Sequence, residues 1–321
     1  MILILSETKD FITDKVIEWI FIDKVFDFIR INEIDKVQIN TIRLGCSENC
    51  NTQFTILGRD ITVKTEEVSF CWYRRGGLYR DISQFLECRS SNEQITKFLS
   101  WEWKICADFI LEELQSKSSL GNYFRSKVNK LKNLRIAVNC GFKIPATIIS
   151  ENNDALLTYN TNQLISKPIS EAMIISDEEN YLDLKTNIVD NSSENFFPSL
   201  CQEKIEKWIE VRVFVSYDEI YAMAIFSQKN SKTEVDYRNY DEEKRNRFIP
   251  FHLPKDIEER VLQFMNISGL DTGSIDFILT PEKEYIFLEI NPAGNIEMVS
   301  EPCNYYLEKR IAEQILERLS S

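Results

Sequence analysis

The segment DTGSIDFILTPEKEYIFLEINPAGN, residues Asp271–Asn295, contains two apolar stretches of strand length joined by a polar connection. The predicted strands are Ser274–Leu279 and Tyr285–Ile290, and both are rich in Ile, Leu and Phe. The connection, Pro281–Glu284, has the length of a hairpin loop. We therefore expect an antiparallel β-hairpin here.

The register of this hairpin decides which polar side chains meet. If Thr280 lies opposite Tyr285, the same register sets Asp276 opposite Glu289, with Cβ atoms about 4.5–5.5 Å apart. Asn291 returns to the face of Glu289 because strand side chains alternate. The full set of predicted pairs is Thr280 with Tyr285, Ile278 with Phe287, and Asp276 with Glu289. Two carboxylates and one amide are thus expected on one strand face among apolar residues.

Two carboxylates side by side in an apolar setting repel each other and lose hydration unless a cation lies between them. A hard divalent ion with oxygen ligands and spare positions for phosphate, such as Mg²⁺, meets that need. The alternative is an exposed hairpin that carries ordinary surface acids. The apolar flanks, and Pro292–Gly294 directly after Asn291, favour the ion site.

Size and composition set further limits. A chain of 321 residues can bury a large core and is expected to divide into two or three lobes. Its 51 acidic and 38 basic residues give a net charge of −13, which argues against nucleic acid and anionic membranes as partners. No apolar run approaches the roughly 20 residues of a membrane span, and Met1–Leu5 is too short for a signal peptide.

The cysteine and histidine content argues against zinc and against nucleophile–histidine pairs. Eight cysteines are scattered, and the one close pair, Cys46 and Cys50, has no second pair or nearby histidine to complete a zinc site. Reduced thiols of this kind are typical of a cytoplasmic enzyme. The single histidine, His252, lies in a proline-flanked loop and is expected to be structural.

Strand and helix patterns alternate along the chain and indicate an α/β protein. Met1–Leu5 is predicted as a buried strand and Phe11–Phe21 as a helix, within a small N-terminal lobe. Ser116–Gly121 is the best candidate for a domain boundary. The next helix, predicted at Ser126–Asn139, is expected to end with Gly141 in the left-handed position.

Three cations, Lys130, Lys167 and Arg212, are candidates for binding an anion, and one acid, Glu210, lies beside Arg212. Lys130 lies early in the helix after the boundary, and Lys167 ends the strand pattern Gln163–Lys167. A lysine in an apolar strand is unusual unless its ammonium meets a charge, although one at a strand end can also reach solvent. Glu210 and Arg212 alternate with valines and therefore share one strand face, which could also be an exposed polar face.

In this order along the chain, these elements resemble the ATP-grasp superfamily, in which D…ExN forms the magnesium motif. The resemblance covers nearly the whole chain and implies an N-terminal pre-ATP-grasp domain (1–117), a central subdomain (118–200) and a C-terminal subdomain (201–321). It implies ATP and Mg²⁺ as cofactors. The implied contacts are Lys130, Lys167 and Arg212 to phosphates, Glu203, Lys204 and Ile205 to adenine, Glu210 to ribose, and Asp276, Glu289 and Asn291 to Mg²⁺. Arg238 is assigned to a second phosphate or acyl-phosphate contact because its planar fork binds two oxygens, so Arg212 and Arg238 are the expected catalytic residues.

Finer details resemble one branch, the maturases of microviridin-like and "grasp-with-spasm" graspetides. The motifs that carry this resemblance are Trp72–Gly76, Gln202–Ile205, Ala224–Gln228, Asp236–Arg238 and Gly273–Phe277. Such enzymes use ATP to phosphorylate Asp or Glu side chains of a ribosomal precursor peptide. Thr, Ser or Lys side chains of the same peptide then close ester or amide rings. The resemblance leaves the precursor, the ring pattern and the choice of monomer or homodimer open.

Arg74 and Arg75 precede a flexible Gly-Gly pair and are candidates to hold an acidic core peptide, or alternatively form a basic loop end. Two other functions stay open. One is an ATP-grasp carboxylate–amine ligase that acts on a small molecule or a protein terminus. The other is a nucleotide-binding regulatory subunit without turnover, against which the intact Asp276, Glu289 and Asn291 speak.

Overall fold

The computed structural model describes residues 1–23, 26–45, 51–86, 93–127, 129–157, 163–170, 173–176, 181–184, 186–189, 195–228 and 246–320. Arg238 and the pair Cys46 and Cys50 lie outside these residues. The chain forms two compact units, the first comprising Met1–Ser126 with Tyr306–Ser321 and the second Lys127–Tyr305. The division into three domains at 117 and 200 stays a prediction. In the described part of the chain, no helix is long and apolar enough to cross a membrane.

A parallel sheet forms the centre of the first unit. Its elements in chain order are β1 (Ile2–Ser6), α1 (Phe11–Asp23), β2 (Phe28–Asn32), β3 (Val37–Ile42), β4 (Thr52–Ile56), β5 (Ile61–Lys64), β6 (Phe70–Tyr73), α2 (Glu93–Gln115) and β7 (Ser118–Leu120). The sheet has the strand order β2-β1-β6-β7, and its pairs are parallel. β1 is fully buried, as its continuous apolar run predicts for a strand covered on both faces. Strands β3, β4 and β5 form a separate antiparallel sheet.

The second unit contains two larger sheets. Its elements are α3 (Lys130–Asn139), β8 (Thr147–Asn152), α4 (Asn153–Leu157), β9 (Leu164–Lys167), β10 (Met173–Ser176), β11 (Tyr181–Leu184), β12 (Asn187–Ile188), β13 (Asn195–Glu203), β14 (Ile209–Ser216), β15 (Glu219–Phe226), β16 (Arg247–Phe251), α5 (Lys255–Ser268), β17 (Thr272–Leu279), β18 (Tyr285–Asn291) and α6 (Ile296–Cys303). One sheet has the order β12-β9-β13-β8 and the other β16-β15-β14-β17-β18. The last helix, α7 (Leu307–Ser320), packs against α1 and belongs to the first unit.

The five-stranded sheet has one apolar face and one face that carries charges. Val211, Val213 and Phe277 point into a core that α3 and α5 complete. Phe264 and Phe287 add two rings to this core, tilted by 41° with centroids 5.0 Å apart. Because strand side chains alternate, the even-numbered residues of β14 and β17 point to the opposite face. Of the charged residues selected from the sequence, this face holds Glu210, Arg212, Asp276 and Glu289.

Helix α3 begins later than the sequence pattern predicts. The predicted start at Ser126 is wrong, since the helix runs from Lys130 and Asn129 is its N-cap. The Asn129 side chain accepts a hydrogen bond from the Lys132 N–H at 3.0 Å, which satisfies an otherwise unpaired donor of the first turn. The predicted end is confirmed, with Gly141 at φ +82°.

Candidate active site

One row of charged side chains crosses three strands of the second unit. Arg212 of β14 lies opposite Asp276 of β17, which in turn lies opposite Glu289 of β18. Arg212 Nη1 and Asp276 Oδ1 are 3.6 Å apart, and their side chains are only 8% and 18% exposed. A guanidinium and a carboxylate that are both shielded from water attract each other more strongly than a surface pair.

The Asp276–Glu289 pair was predicted, but the reason for it was incomplete. The predicted pairing of Thr280 with Tyr285 is wrong, because Leu279 lies opposite Tyr285 and the Thr280 N–H donates to the Glu284 carbonyl. A β-bulge, with Leu288 as the extra residue, then restores Asp276 to Glu289. The observed pairs are Leu279 with Tyr285, Ile278 with Ile286, and Phe277 with Phe287, so the predicted pair of Ile278 with Phe287 is also wrong.

The bulge has a physical reason in the apolar pattern. Without it, Phe287 and Glu289 would share one face because they are two residues apart. The core takes Phe287, which is fully buried, while Glu289 remains opposite Asp276 on the charged face. An extra residue between them reverses the alternation and satisfies both requirements.

A second cation approaches Glu289. Lys130 Nζ lies 3.6 Å from Glu289 Oε2 and donates to the carbonyl of Pro168 at 3.0 Å. Pro168 directly follows Lys167, the last residue of β9, so Lys130 contacts the strand end that carries the other predicted phosphate ligand. Each carboxylate of the central pair therefore has a cation within 4 Å.

The donor set of this row fits Mg²⁺. Asn291 ends β18 two residues after Glu289, and its Oδ1 accepts from the Gly294 N–H at 3.1 Å, which orients the amide. Among the described residues, no group of three or more His, Cys, Asp or Glu side chains is placed to hold a metal. The available donors are the carboxylates of Asp276 and Glu289 and this amide. Hard oxygen donors in that small number suit an ion that keeps positions for phosphate and water.

Glu210 occupies the next row, one step along the same sheet face. It lies opposite Ile278, and Ile278 lies opposite Ile286. Glu210 Oε1 accepts hydrogen bonds from Lys207 Nζ at 2.6 Å and from Ser227 Oγ at 3.0 Å. Sequence reasoning did not select Lys207 or Ser227. The spacing of Lys207 three residues before Glu210 was a usable signal, whereas Ser227 reaches Glu210 only through strand pairing.

A cavity of about 570 Å³ opens beside the row of Glu210. Its lining includes Glu203, Lys204 and Ile205, the segment predicted to contact adenine, and Ile286, which belongs to the row of Glu210. The Glu203 N–H donates to the Ala146 carbonyl and the Lys204 N–H to the Gln163 carbonyl, both at 2.9 Å. The other lining residues are Val138, Phe142, Lys143, Ile144, Glu206, Thr280, Glu282 and Glu284.

Arg74 and Arg75 lie in the first unit, at the end of the parallel sheet. Arg74 is buried, with its Nε 3.4 Å from Asp10 Oδ2, whereas Arg75 is about half exposed and lies 3.5 Å from Glu7. Burial acts to raise the pKa of Asp10, but Arg74 and hydrogen bonds from Thr13 and Ser6 outweigh it and hold that pKa below its ordinary value. Burial lowers the pKa of the Arg74 guanidinium, and Asp10 opposes this effect.

The fold is that of an ATP-grasp ligase, and the predicted α/β class is confirmed. No protein-family model matches the chain, and no curated protein matches it in sequence. The chain is similar over its whole length to a RiPP-associated ATP-grasp ligase of Chryseobacterium gregarium in complex with ADP and a leader and core peptide. The TM-score is 0.80 at 27% identity, with 99% of this chain and 96% of the other covered.

Two further solved structures extend this comparison. The macrocyclase MdnC of Microcystis aeruginosa MRC, bound with the precursor peptide MdnA, has a TM-score of 0.76 at 26% identity and 99% coverage of both chains. The VanG D-Ala:D-Ser ligase of Enterococcus faecalis has a TM-score of 0.55 at 12% identity, over 99% of this chain and 98% of the other, and shares the fold alone. The resemblance to ATP-grasp peptide maturases that the motifs indicated is confirmed.

Proposed function

We propose that this protein is an ATP- and Mg²⁺-dependent peptide macrocyclase that joins Asp or Glu side chains of a ribosomally made precursor to Thr, Ser or Lys side chains of the same peptide. The observation that carries the proposal is the chain-long similarity to two proteins whose structures hold a precursor peptide or a leader and core peptide. We assign the enzyme to the cytoplasm, where ATP and the ribosomal peptide are made and thiols stay reduced.

The order of the side chains along the charged sheet face supports one orientation of ATP, with adenine at one end and the triphosphate at the other. Adenine would occupy the cavity beside the segment Glu203–Ile205. Because the Glu203 and Lys204 N–H groups already donate to carbonyls, the Ile205 N–H is the donor we assign to the base edge. Glu210 would then accept from the ribose hydroxyls. The triphosphate would extend toward the next row, where Arg212 and Lys130 lie.

Asp276, Glu289 and Asn291 would hold Mg²⁺, which supplies positive charge to the phosphates of the nucleotide when bound. The chain's own cations perform the rest of this task. Lys130 and Arg212 lie beside the carboxylates and would turn toward the phosphate oxygens, and we assign Lys167 and Arg238 to the same role. Cations directed at the transferred phosphoryl group stabilise the charge that develops in the transition state.

The proposed reaction has two steps. A peptide carboxylate attacks the γ-phosphorus and ADP leaves, so that a poor electrophile becomes an acyl phosphate. A Thr or Ser hydroxyl, or a Lys amine, then attacks the acyl carbon, loses its proton, and inorganic phosphate leaves. Positioning of the two side chains would supply much of the second step, because reactants held together react as one molecule.

For the acidic core peptide we propose Arg75 as the contact and Arg74 as its support. Arg74 is buried against Asp10, so its guanidinium is committed to the interior of the first unit. Arg75 exposes 45% of its side chain and can exchange Glu7 for a peptide carboxylate. A guanidinium fork suits that ligand because it donates to two oxygens at once.

Co-expression with a candidate precursor, a short peptide rich in Asp or Glu and in Thr, Ser or Lys, tests this function. The expected product lacks one water for each new bond by intact-mass spectrometry, and purified enzyme releases ADP and phosphate rather than AMP. Mild alkali then opens esters but leaves amides intact. Glu289→Ala should give unmodified peptide, with Glu259→Ala, an exposed acid on α5, as the matched control. Unchanged peptide mass together with ATP turnover driven by a free amino acid would instead identify a small-molecule ligase.

A further inference from the structure

A buried lysine beside the predicted ribose ligand has no role in the site described so far. Lys207 exposes 8% of its side chain and Glu210 exposes 10%, and Lys207 Nζ lies 2.6 Å from Glu210 Oε1. An ammonium group is rarely buried unless a partner offsets the loss of its hydration. The carboxylate of Glu210 therefore offsets part of the cost of burying the Lys207 ammonium.

Ser227 adds a second donor to the same oxygen. Its hydroxyl donates to Glu210 Oε1 at 3.0 Å, and Gln228 Nε2 donates to the Ser227 oxygen at 3.2 Å. Two donors at Oε1 fix the rotation of the carboxylate and turn Oε2 away from them. Glu210 itself is held on the middle strand of the sheet, so the direction of Oε2 is set by backbone and side-chain contacts together.

We propose that Lys207 is a positioning residue that, with Ser227, holds the Glu210 carboxylate in the orientation that accepts hydrogen bonds from the ribose hydroxyls of ATP. This inference rests on the proposed ATP site. On this proposal Lys207 acts through Glu210 rather than on the phosphates. Its contribution is therefore confined to nucleotides that carry ribose hydroxyls.

A comparison of two nucleotides therefore distinguishes this positioning role from a general structural role, which would affect the binding of both. We compare the binding of ATP and of 2′,3′-dideoxy-ATP, each with Mg²⁺ and without peptide, by isothermal titration calorimetry. Lys207→Met should weaken ATP binding about tenfold, the effect of losing one contact to a charged group. The dideoxy nucleotide should bind as it does to the wild-type protein. Lys255→Met, an exposed lysine at the start of α5, is the matched control and should change neither affinity.

Two further variants keep the test decisive if Lys207→Met does not fold. Ser227→Ala should reduce the preference for ATP over the dideoxy nucleotide in the same direction, and Lys207→Arg should retain most of that preference. Equal weakening of both nucleotides by Lys207→Met or Ser227→Ala, or an unchanged preference, would overturn the proposal. A wild-type protein that does not bind ATP at all would refute the proposed function as well. Failure of the positioning role alone would instead leave ATP binding by the wild type intact.

Discussion

The ion pair between Arg212 and Asp276 predicts a stability change that can be measured without nucleotide or peptide. At 3.6 Å and an effective dielectric constant of about 20, the attraction between the two charges is about 4–5 kcal/mol. Breaking a buried pair by removing one partner costs about 3–5 kcal/mol, because the remaining charge is left unpaired. Asp276 keeps 18% exposure, so we expect Arg212→Met to lower the free energy of unfolding by about 3 kcal/mol.

Urea unfolding of four proteins measures this prediction: the wild type, Arg212→Met, Asp276→Asn and the double variant. The transition is followed by far-UV circular dichroism, because tryptophan fluorescence would mainly report on the first unit, which contains four of the five tryptophans. The loss of unfolding free energy in the double variant should be about 2 kcal/mol smaller than the sum of the losses in the two single variants, because neither partner is left without the other. A loss equal to that sum would refute the reasoning.

A second ion pair of similar length provides the control. Arg260 Nη2 lies 3.4 Å from Asp256, but the two side chains are 40% and 62% exposed. The same cycle with Arg260→Met and Asp256→Asn should give a coupling of less than about 1 kcal/mol. The contrast between two pairs with nearly equal distances isolates the effect of burial.

Three other predictions address the metal, the phosphates and the first unit. Glu289→Ala should abolish ATP hydrolysis while urea unfolding stays cooperative, and normal turnover would exclude a metal role. Lys130→Met and Lys167→Met should each weaken ATP binding by about 2 kcal/mol, the value of a charge-assisted contact, and calorimetry with wild-type affinities would show that the phosphates lie elsewhere. The lowered pKa of Asp10 stabilises the fold above the ordinary value of 3.8, and this stabilisation is lost as the pH falls through the folded-state pKa. Asp10→Asn should therefore show a smaller loss of stability on acidification than the wild type, and parallel pH profiles would contradict the shift.

The sequence predicts the charged row better than it predicts the backbone that builds it. The pairing of Asp276 with Glu289 was predicted from a register that set Thr280 opposite Tyr285; the pair is confirmed, whereas that register is wrong. The bulge at Leu288 was not predicted. The alternation of side chains within β18 does not show whether that strand has one residue more than β17 in the paired segment. It becomes visible only when the burial of Phe287 is known, since one strand must place Phe287 and Glu289 on opposite faces.

The environment of Glu210 shows a different limit of sequence reasoning. Lys207 lies in the loop between β13 and β14, where a lysine is ordinarily exposed, and its burial depends on the packing around that loop. Ser227 is 17 residues from Glu210 and reaches it because β14 and β15 pair. Neither contact has a periodic signature, so pattern analysis could identify the acid but not the groups that hold it.

The charge balance of the central row connects its stability to its proposed chemistry. Asp276 and Glu289 face each other across a strand pair, an arrangement that destabilises a sheet when nothing offsets it. Arg212 and Lys130 lie 3.6 Å from one carboxylate each and provide that offset in the free protein. A divalent ion between the carboxylates would take over this task and leave the two cations for the phosphates. On this argument the groups that stabilise the free site are the groups proposed to bind the nucleotide, so Mg²⁺ and ATP should each bind more tightly when the other is present.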